Sequence, residues 1–407
     1  MEIKMPNHDD QILIQKLMGQ DAFLNDESVE RYAYMLNPDG TIRWIYPASL
    51  KEPTFLNFYS TSSFRAKVLS GIIKFAFFIK QSHRIQSGEL KLTIADSSRL
   101  GKVLQTCNYT GFSIFTGTVG ENRKAVIEIH NSEALFMFVK IALTESAQAL
   151  IRNEAKSLQY LNSYEFKGLV IPELLRNNEQ DTIGLSNIKP KNFQQDLHLS
   201  GIHVKALSEL YNISSTQKRW SELDTLQECK DILHTLLEDY EEVNTLDKSK
   251  VQKLSDKIVQ LTTILKNDDA ELTVAIAHGD FTPWNMYSAN HVLHLFDWEL
   301  SQSEMPLLYD LFHFIFQSEV MIKRSNYTVI YDEITKLITM KRVEGLLREF
   351  KIDLNKSYIF YLVYTITYYL DKYIKQKHLH EQVFWLMNVW EDAVNDAISN
   401  KGVVFEK

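Results

Sequence analysis

Cysteine is scarce in this 407-residue chain: Cys107 and Cys229 are its only two. That is too few for a disulfide scaffold and suits a reducing compartment, where both read as small buried thiols. Basic charge is not in excess either. With 44 Lys and Arg against 52 Asp and Glu, the formal net charge is -8, which argues against a general affinity for nucleic-acid backbone, because that needs a basic surface stripe. A local basic phosphate pocket stays open. The chain also lacks an apolar run of the about 20 residues that span a bilayer. Its most apolar stretches, Val68 to Ile79 and Tyr358 to Leu370, are shorter and read as buried helices. No basic segment leads into an apolar one at the start, so no secretory signal is read and a cytoplasmic location is expected. Neither internal repeats nor low-complexity segments interrupt the chain.

What is there is an ordinary globular composition, 45% hydrophobic and 24% charged, in a chain long enough for two or three units. The stretch Ile276-Ala-His-Gly-Asp-Phe-Thr-Pro-Trp-Asn285, followed by Val292-Leu-His-Leu-Phe-Asp-Trp-Glu299, carries the chemistry. Two short apolar strands each run into a carboxylate, Asp280 and Asp297, with Asn285 in the turn between them. Brought to one edge, these three oxygen donors would meet a hydroxyl, phosphates and a hard cation. Phosphoryl transfer needs such a set: Asp280 accepts the proton of an attacking hydroxyl, while Asn285 and Asp297 hold magnesium. Histidines at 278 and 294 do not make a zinc site, which needs three or four ligands in a closed arrangement. Glu299 is either a further metal contact or a solvated carboxylate.

His278-Gly279-Asp280, then Asn285, then an apolar strand into Asp297-Trp298-Glu299 resembles the aminoglycoside phosphotransferase and choline kinase-like family. The resemblance covers Gly111 to the carboxy terminus and implies an α+β, protein-kinase-like fold of two lobes, a β-rich amino-terminal one and a mostly helical carboxy-terminal one. It also implies ATP or another nucleoside triphosphate, Mg2+, and a small-molecule hydroxyl acceptor such as a sugar or amino alcohol. A histidine before Gly-Asp in this family orders the loop, and Asp310 is similar to an aspartate that braces it; a surface charge is the other reading of Asp310.

Residues 106–190 fit the first lobe. Gly111–Phe115, Ala125–Ile129 and Leu135–Ala142 read as strands. Gly117 and Gly120, between the first two, would let backbone amides approach phosphate oxygens, and Asn122-Arg123 is similar to the family's short loop. Lys140 stands in an apolar strand, where a cation wants an anionic partner. Glu154, on the helix that follows, supplies it, and in kinase-like folds that glutamate holds the lysine over the nucleotide's α- and β-phosphates. Leu169–Leu175 and Thr182–Ile188 read as the last two strands of the lobe, and Lys189–Asn192 as a hinge.

Residues 191–407 read as helical, with apolar stripes at Leu226–Leu237 and Val251–Leu265 forming an antiparallel pair around a turn at 244–248. Residues 1–105 lie outside the resemblance. Arg31–Leu36 and Thr41–Tyr46 flank the turn Asn37-Pro-Asp-Gly40 as a hairpin, Glu89–Ile94 is a further strand, and a nearly all-apolar helix opens at Ser63. This extension either docks a protein partner or the envelope, or completes the first lobe; the second is favoured.

Protein kinases carry His-Arg-Asp, Asp-Phe-Gly and a long activation segment. None is present, so the sequence points to a small-molecule kinase rather than an atypical protein kinase. A catalytically inert nucleotide-binding scaffold is the reading from another class, and the presence of Lys140, Glu154, Asp280, Asn285 and Asp297 together weighs against it.

Overall fold

The computed structural model describes residues 6–23, 29–58, 64–131, 135–178, 181–238, 240, 246–267, 269–376 and 379–405. They form two compact units, residues up to 164 with 171–188, and residues 165–170 with 189–407. The chain is α+β, with an extended antiparallel sheet in the first unit and mainly helices in the second.

In the first unit, α1 (His8–Met18) precedes β1 (Glu30–Leu36) and β2 (Ile42–Pro47), then α2 (Phe64–Phe78), β3 (Gly88–Leu92) and α3 (Arg99–Gln105). There follow β4 (Gly111–Phe115), β5 (Lys124–His130), β6 (Leu135–Ala142) and α4 (Glu145–Leu161). The next strand, β7 (Leu169–Val170), belongs to the second unit, and β8 (Leu174–Asn177) and β9 (Thr182–Ser186) complete the first. The sheet runs in the order β3-β1-β2-β4-β5-β6-β9-β8, antiparallel at every step. The hairpin of the extension and the strands of the lobe are therefore one continuous sheet, joined where β2 pairs with β4.

Period-2 alternation in β1 and over residues 44–46 of β2 feeds two cores, and the register shift opposite Met35 and Leu36 puts Ile42 on the same side as Ile45. Tyr32, Tyr34, Ile42 and Ile45 face a cluster containing Leu13, Ile14 and Leu17 of α1, Leu100 and Val103 of α3, and Ile114, Ile127 and Val139 of the lobe strands. Ala33, Trp44 and Tyr46 face the other way, onto Phe55, Ile73 and Phe77. Tyr46 stacks on Phe55 at 4.7 Å between ring centroids, and Phe77 meets Phe55 edge-on at 6.0 Å. Burying side chains of this kind contributes about 1.5–3 kcal/mol each. The buried carboxylate of Asp10 fixes α1 to the sheet by accepting the Ile42 N–H at 3.0 Å.

The Val68 to Ile79 run is not a buried helix. Of its large apolar residues only Ile73 and Phe77 reach the core, because a single face of α2 meets the β1–β2 surface. Ser63, read as its opening residue, lies outside the described residues. Cys229 is buried as expected, whereas Cys107 is half-exposed.

The second unit contains α5 (Gly201–Ser214), β10 (Thr216–Arg219), α6 (Asp224–Thr235), α7 (Lys248–Lys266), β11 (Glu271–Ala277), β12 (Met286–Ala289), β13 (Val292–Leu295) and β14 (Gln302–Pro306). Then come α8 (Tyr309–Gln317), α9 (Tyr327–Ile338), α10 (Lys341–Glu349), α11 (Leu354–Ile374) and α12 (Glu381–Ser399). The stripes of α6 and α7 pack together and on α11; part of the turn read between them, at 244–245, lies outside the described residues. Among the described residues no helix is long and apolar enough to cross a membrane.

Two expectations change here. Leu169–Val170 does not join the first unit's sheet but pairs in parallel with β13, leaving only residues 174–177 to pair with β9. The strands leading to the two carboxylates also occupy different sheets: β11 lies between β10 and β14, whereas β13 lies between β12 and β7. The polar strand β10 shows no alternation in sequence. Its place depends on partners distant in the chain, with Gln217 donating to the Thr273 hydroxyl at 2.9 Å and Lys218 pairing with Glu304 at 2.6 Å.

Candidate active site

Just beyond β11 the backbone turns sharply at Gly279, whose φ is +83°. A Cβ there would lie 2.0 Å from the Leu300 carbonyl oxygen, so both the dihedral and the space demand glycine. Asp310, from the first turn of α8, holds this turn: its carboxylate accepts the His278 N–H at 2.8 Å and the Gly279 N–H at 3.0 Å. Asp310 is buried, which overturns the surface-charge reading, and burial pushes its carboxyl above the usual range against the pull of His278 and of those two amides. His278 is also buried. Its Nδ1 accepts the Asp280 N–H at 3.2 Å and its Nε2 lies 2.9 Å from the Phe296 carbonyl oxygen, two contacts that fix the orientation of the ring. The ring meets Trp298 edge-on at 4.7 Å.

On this fixed turn the Asp280 side chain is held from two directions. Asn285 Nδ2 donates to Asp280 Oδ2 at 2.8 Å and to the Asp280 carbonyl at 3.0 Å, and His313 Nε2 lies 3.3 Å from Asp280 Oδ1. Asn285 also links the two motifs through its backbone, since its carbonyl accepts the N–H of Phe296, the residue before Asp297. Asp297 adopts a left-handed conformation, φ +69°, at the head of a short 3-10 turn. That conformation is uncommon for a residue with a side chain. It brings the carboxylate of Asp297 within 4.8 Å of that of Glu299. Carboxylates this close together are hard donors of the type Mg2+ takes. This part of the site therefore fits such a cation.

The first unit has a polar pair of its own. The buried stripe of α4 runs through Ala147, Ile151, Ala155, Leu158 and Leu161, and Glu154 lies on it rather than on the wet face. Facing it from β6, Lys140 places Nζ 2.6 Å from Glu154 Oε2, with both side chains largely out of solvent. A buried pair of this kind carries a desolvation cost that an apolar pair would avoid.

The β4–β5 connection is a hairpin turn. Gly117 has φ +74°, and a Cβ there would strike the Lys124 carbonyl oxygen at 2.1 Å, so hairpin packing by itself requires a glycine. Gly120 stands in open space. Arg123 turns inward: its Nε donates to the Thr116 carbonyl and its guanidinium lies 3.9 Å from buried Asp10.

No protein-family model and no curated protein matches the chain. The solved structures similar to it include kinases. A choline kinase from Cryptosporidium parvum is 12% identical over 74% of this chain and 93% of that chain, with a TM-score of 0.47. An amicoumacin kinase solved with AMP-PNP and Ca2+ is 11% identical over 69% of this chain and 88% of that one, with a TM-score of 0.45. A streptomycin-ATP-APH(2")-IIa ternary complex is 12% identical over 77% and 99%, with a TM-score of 0.43. At such identities the chemistry of this chain has to be argued from its own side chains.

His313 escaped the sequence reading because Leu307–Phe316 reads as an apolar helix. A signal was present: Asp310 and His313 are spaced i, i+3, so they share one face of α8, and they are adjacent polar breaks in a run of aromatics and leucines. That face turns toward the loop, Asp310 to its amides and His313 to its carboxylate. The tyrosines of α11 are partly core, as expected, with Tyr358 and Tyr361 buried. Tyr368 is half-buried, and its hydroxyl is pushed up to about 12, first by burial and then by the charge of Asp280.

Proposed function

We propose that the chain is a phosphotransferase that moves the γ-phosphoryl group of ATP, or another nucleoside triphosphate, onto a hydroxyl of a small molecule such as a sugar or an amino alcohol. The observation that carries this reading is Asp280: a carboxylate on a loop fixed by Asp310 and His278, steered by Asn285 and His313, and followed closely by the Asp297 and Glu299 carboxylates. A general base must be preorganised, and each of these contacts removes a freedom from Asp280.

In the reaction, Asp280 takes the proton as the acceptor oxygen bonds to the γ-phosphorus. The bond from phosphorus to the β–γ bridging oxygen breaks, and the nucleoside diphosphate leaves with that electron pair. Bound magnesium would screen the phosphates and the leaving charge. Asp297 and Asn285 are the residues assigned to hold it, with Glu299 as an added carboxylate. Lys140, aligned by Glu154, would neutralise the α- and β-phosphates, and backbone amides near Gly117 and Gly120 would cover the rest. The acceptor is assigned to the side of Asp280 bounded by α8 and by Tyr368 of α11. Residues 1–105, 106–190 and 191–407 are assigned as extension, nucleotide lobe and acceptor lobe.

The test is Asp280→Asn. Turnover of nucleotide against a library of hydroxyl-bearing metabolites should be lost, while calorimetric nucleotide affinity stays near that of the parent chain. Undiminished turnover in the variant would remove Asp280 from the reaction.

A further inference from the structure

The outward face of α2 is apolar although none of the described residues covers it. Val68, Leu69, Ile72, Phe75, Phe78 and Ile79 are all exposed, Phe75 at 62% and Phe78 at 83%. At 100° per residue they fall on one contiguous arc, with Ile72, Phe75 and Ile79 near its centre. Lys67 and Lys74, both exposed, fall together on one flank of that arc, and exposed Lys80 follows the last turn. The surrounding sequence is as one-sided in charge as the helix is in polarity. Residues 53–88 contain Arg65, Lys67, Lys74, Lys80 and Arg84 and no Asp or Glu, in a chain whose formal net charge is -8. A solvated surface helix would carry acidic residues here and would not present phenylalanines to water.

We infer that α2 is an interfacial anchor that seats the chain on an anionic lipid surface. Its outer arc would enter the boundary between headgroups and acyl chains while the flanking lysines meet lipid phosphates. On the inner face Ile73 and Phe77 are already committed to the aromatic cluster on β1 and β2, so the helix is mounted on the sheet and can dip its outer face without unfolding. Length points the same way: α2 spans Phe64–Phe78, too short to cross a bilayer and long enough to lie on one. A second copy of the chain is the poorer occupant. Residues 53–88 of a second copy offer Lys67 and Lys74 no carboxylate, and an antiparallel pair of α2 helices about a twofold axis would set these lysines on the same side as their copies. The inference does not depend on the catalytic reading, because no residue of the candidate active site takes part.

The experiment is co-sedimentation of the full chain with vesicles of phosphatidylcholine alone and of phosphatidylcholine containing about one third phosphatidylglycerol. The chain should bind the mixed vesicles, bind the neutral ones far less, and be released as salt is raised. Lys67→Gln and Lys74→Gln should each lower partitioning roughly fivefold, and Phe75→Asp with Phe78→Asp should abolish it. Melting followed by circular dichroism checks the fold, and these exposed positions should leave the midpoint unchanged. Failure to bind mixed vesicles, or binding that survives the double aspartate substitution, would overturn the inference. So would a concentration-dependent dimer that the same substitutions dissociate, since the face would then belong to a second copy.

Discussion

Replacing Gly279 with alanine tests whether the turn before Asp280 is as tightly built as its geometry implies. The new methyl group would meet the Leu300 carbonyl oxygen at 2.0 Å and its carbon at 2.7 Å, and the residue would have to keep φ near +83°. The left-handed conformation costs an alanine about 1–2 kcal/mol. The overlap cannot be relieved by a rotamer change, because both partners are backbone. The turn must shift, which stretches the 3.0 Å bond from the Gly279 N–H to Asp310 Oδ1. A hydrogen bond to a buried charge contributes about 1.5–3 kcal/mol. Together these give a loss of about 2.5–5 kcal/mol, more than backbone strain alone would cost. Urea denaturation of the variant should show a lower midpoint, and amide hydrogen exchange should rise across residues 276–285. Parent-like exchange in that segment, with an unchanged midpoint, would mean the turn tolerates a side chain and that the Asp310 clamp does not set its shape.

The buried Lys140 and Glu154 should behave as one unit: Glu154→Gln removes the carboxylate 2.6 Å from a buried ammonium and should cost about 3–5 kcal/mol, part of it recovered in a Lys140→Met, Glu154→Gln double variant. Strict additivity in a denaturation cycle would refute that coupling. His313→Phe should lower turnover roughly tenfold through misplacement of the Asp280 carboxylate, with nucleotide affinity retained; His313→Gln, which keeps a donor, should recover part of the loss, and parent-like turnover in the Phe variant would deny His313 a positioning role. His203 is buried with its Nδ1 facing the Ser200 N–H at 3.1 Å, and burial lowers its pKa from 6.5 to about 4. The unfolded chain takes up that proton first as pH falls, so the stability present above pH 6.5 should be progressively lost toward pH 4, by about 3 kcal/mol in all. A His203→Asn variant should show a flatter profile over the same window, measured by denaturant midpoints; parallel profiles would remove His203 from the acid response.

The sequence by itself determined the elements whose signals are local. The hairpin around Asn37–Gly40, the strands β4 to β6, the stripes of α6 and α7 and the position of Glu154 on the following helix can all be read from period and turn chemistry, because a few adjacent residues fix them. The candidate donors were legible for the same reason, since Asp280, Asn285 and Asp297 fall within one short stretch. Tertiary structure decided whatever depends on partners distant in the chain. It placed β7 beside β13 and not in the first sheet, put β11 and β13 in separate sheets, and joined the extension to the lobe through β2 and β4. It brought the buried His313 to Asp280, and buried Asp310 beneath the loop it braces. It also left one face of α2 in solvent: apolar composition states that a helix must be covered, but only the packed fold shows how much of it the chain covers itself.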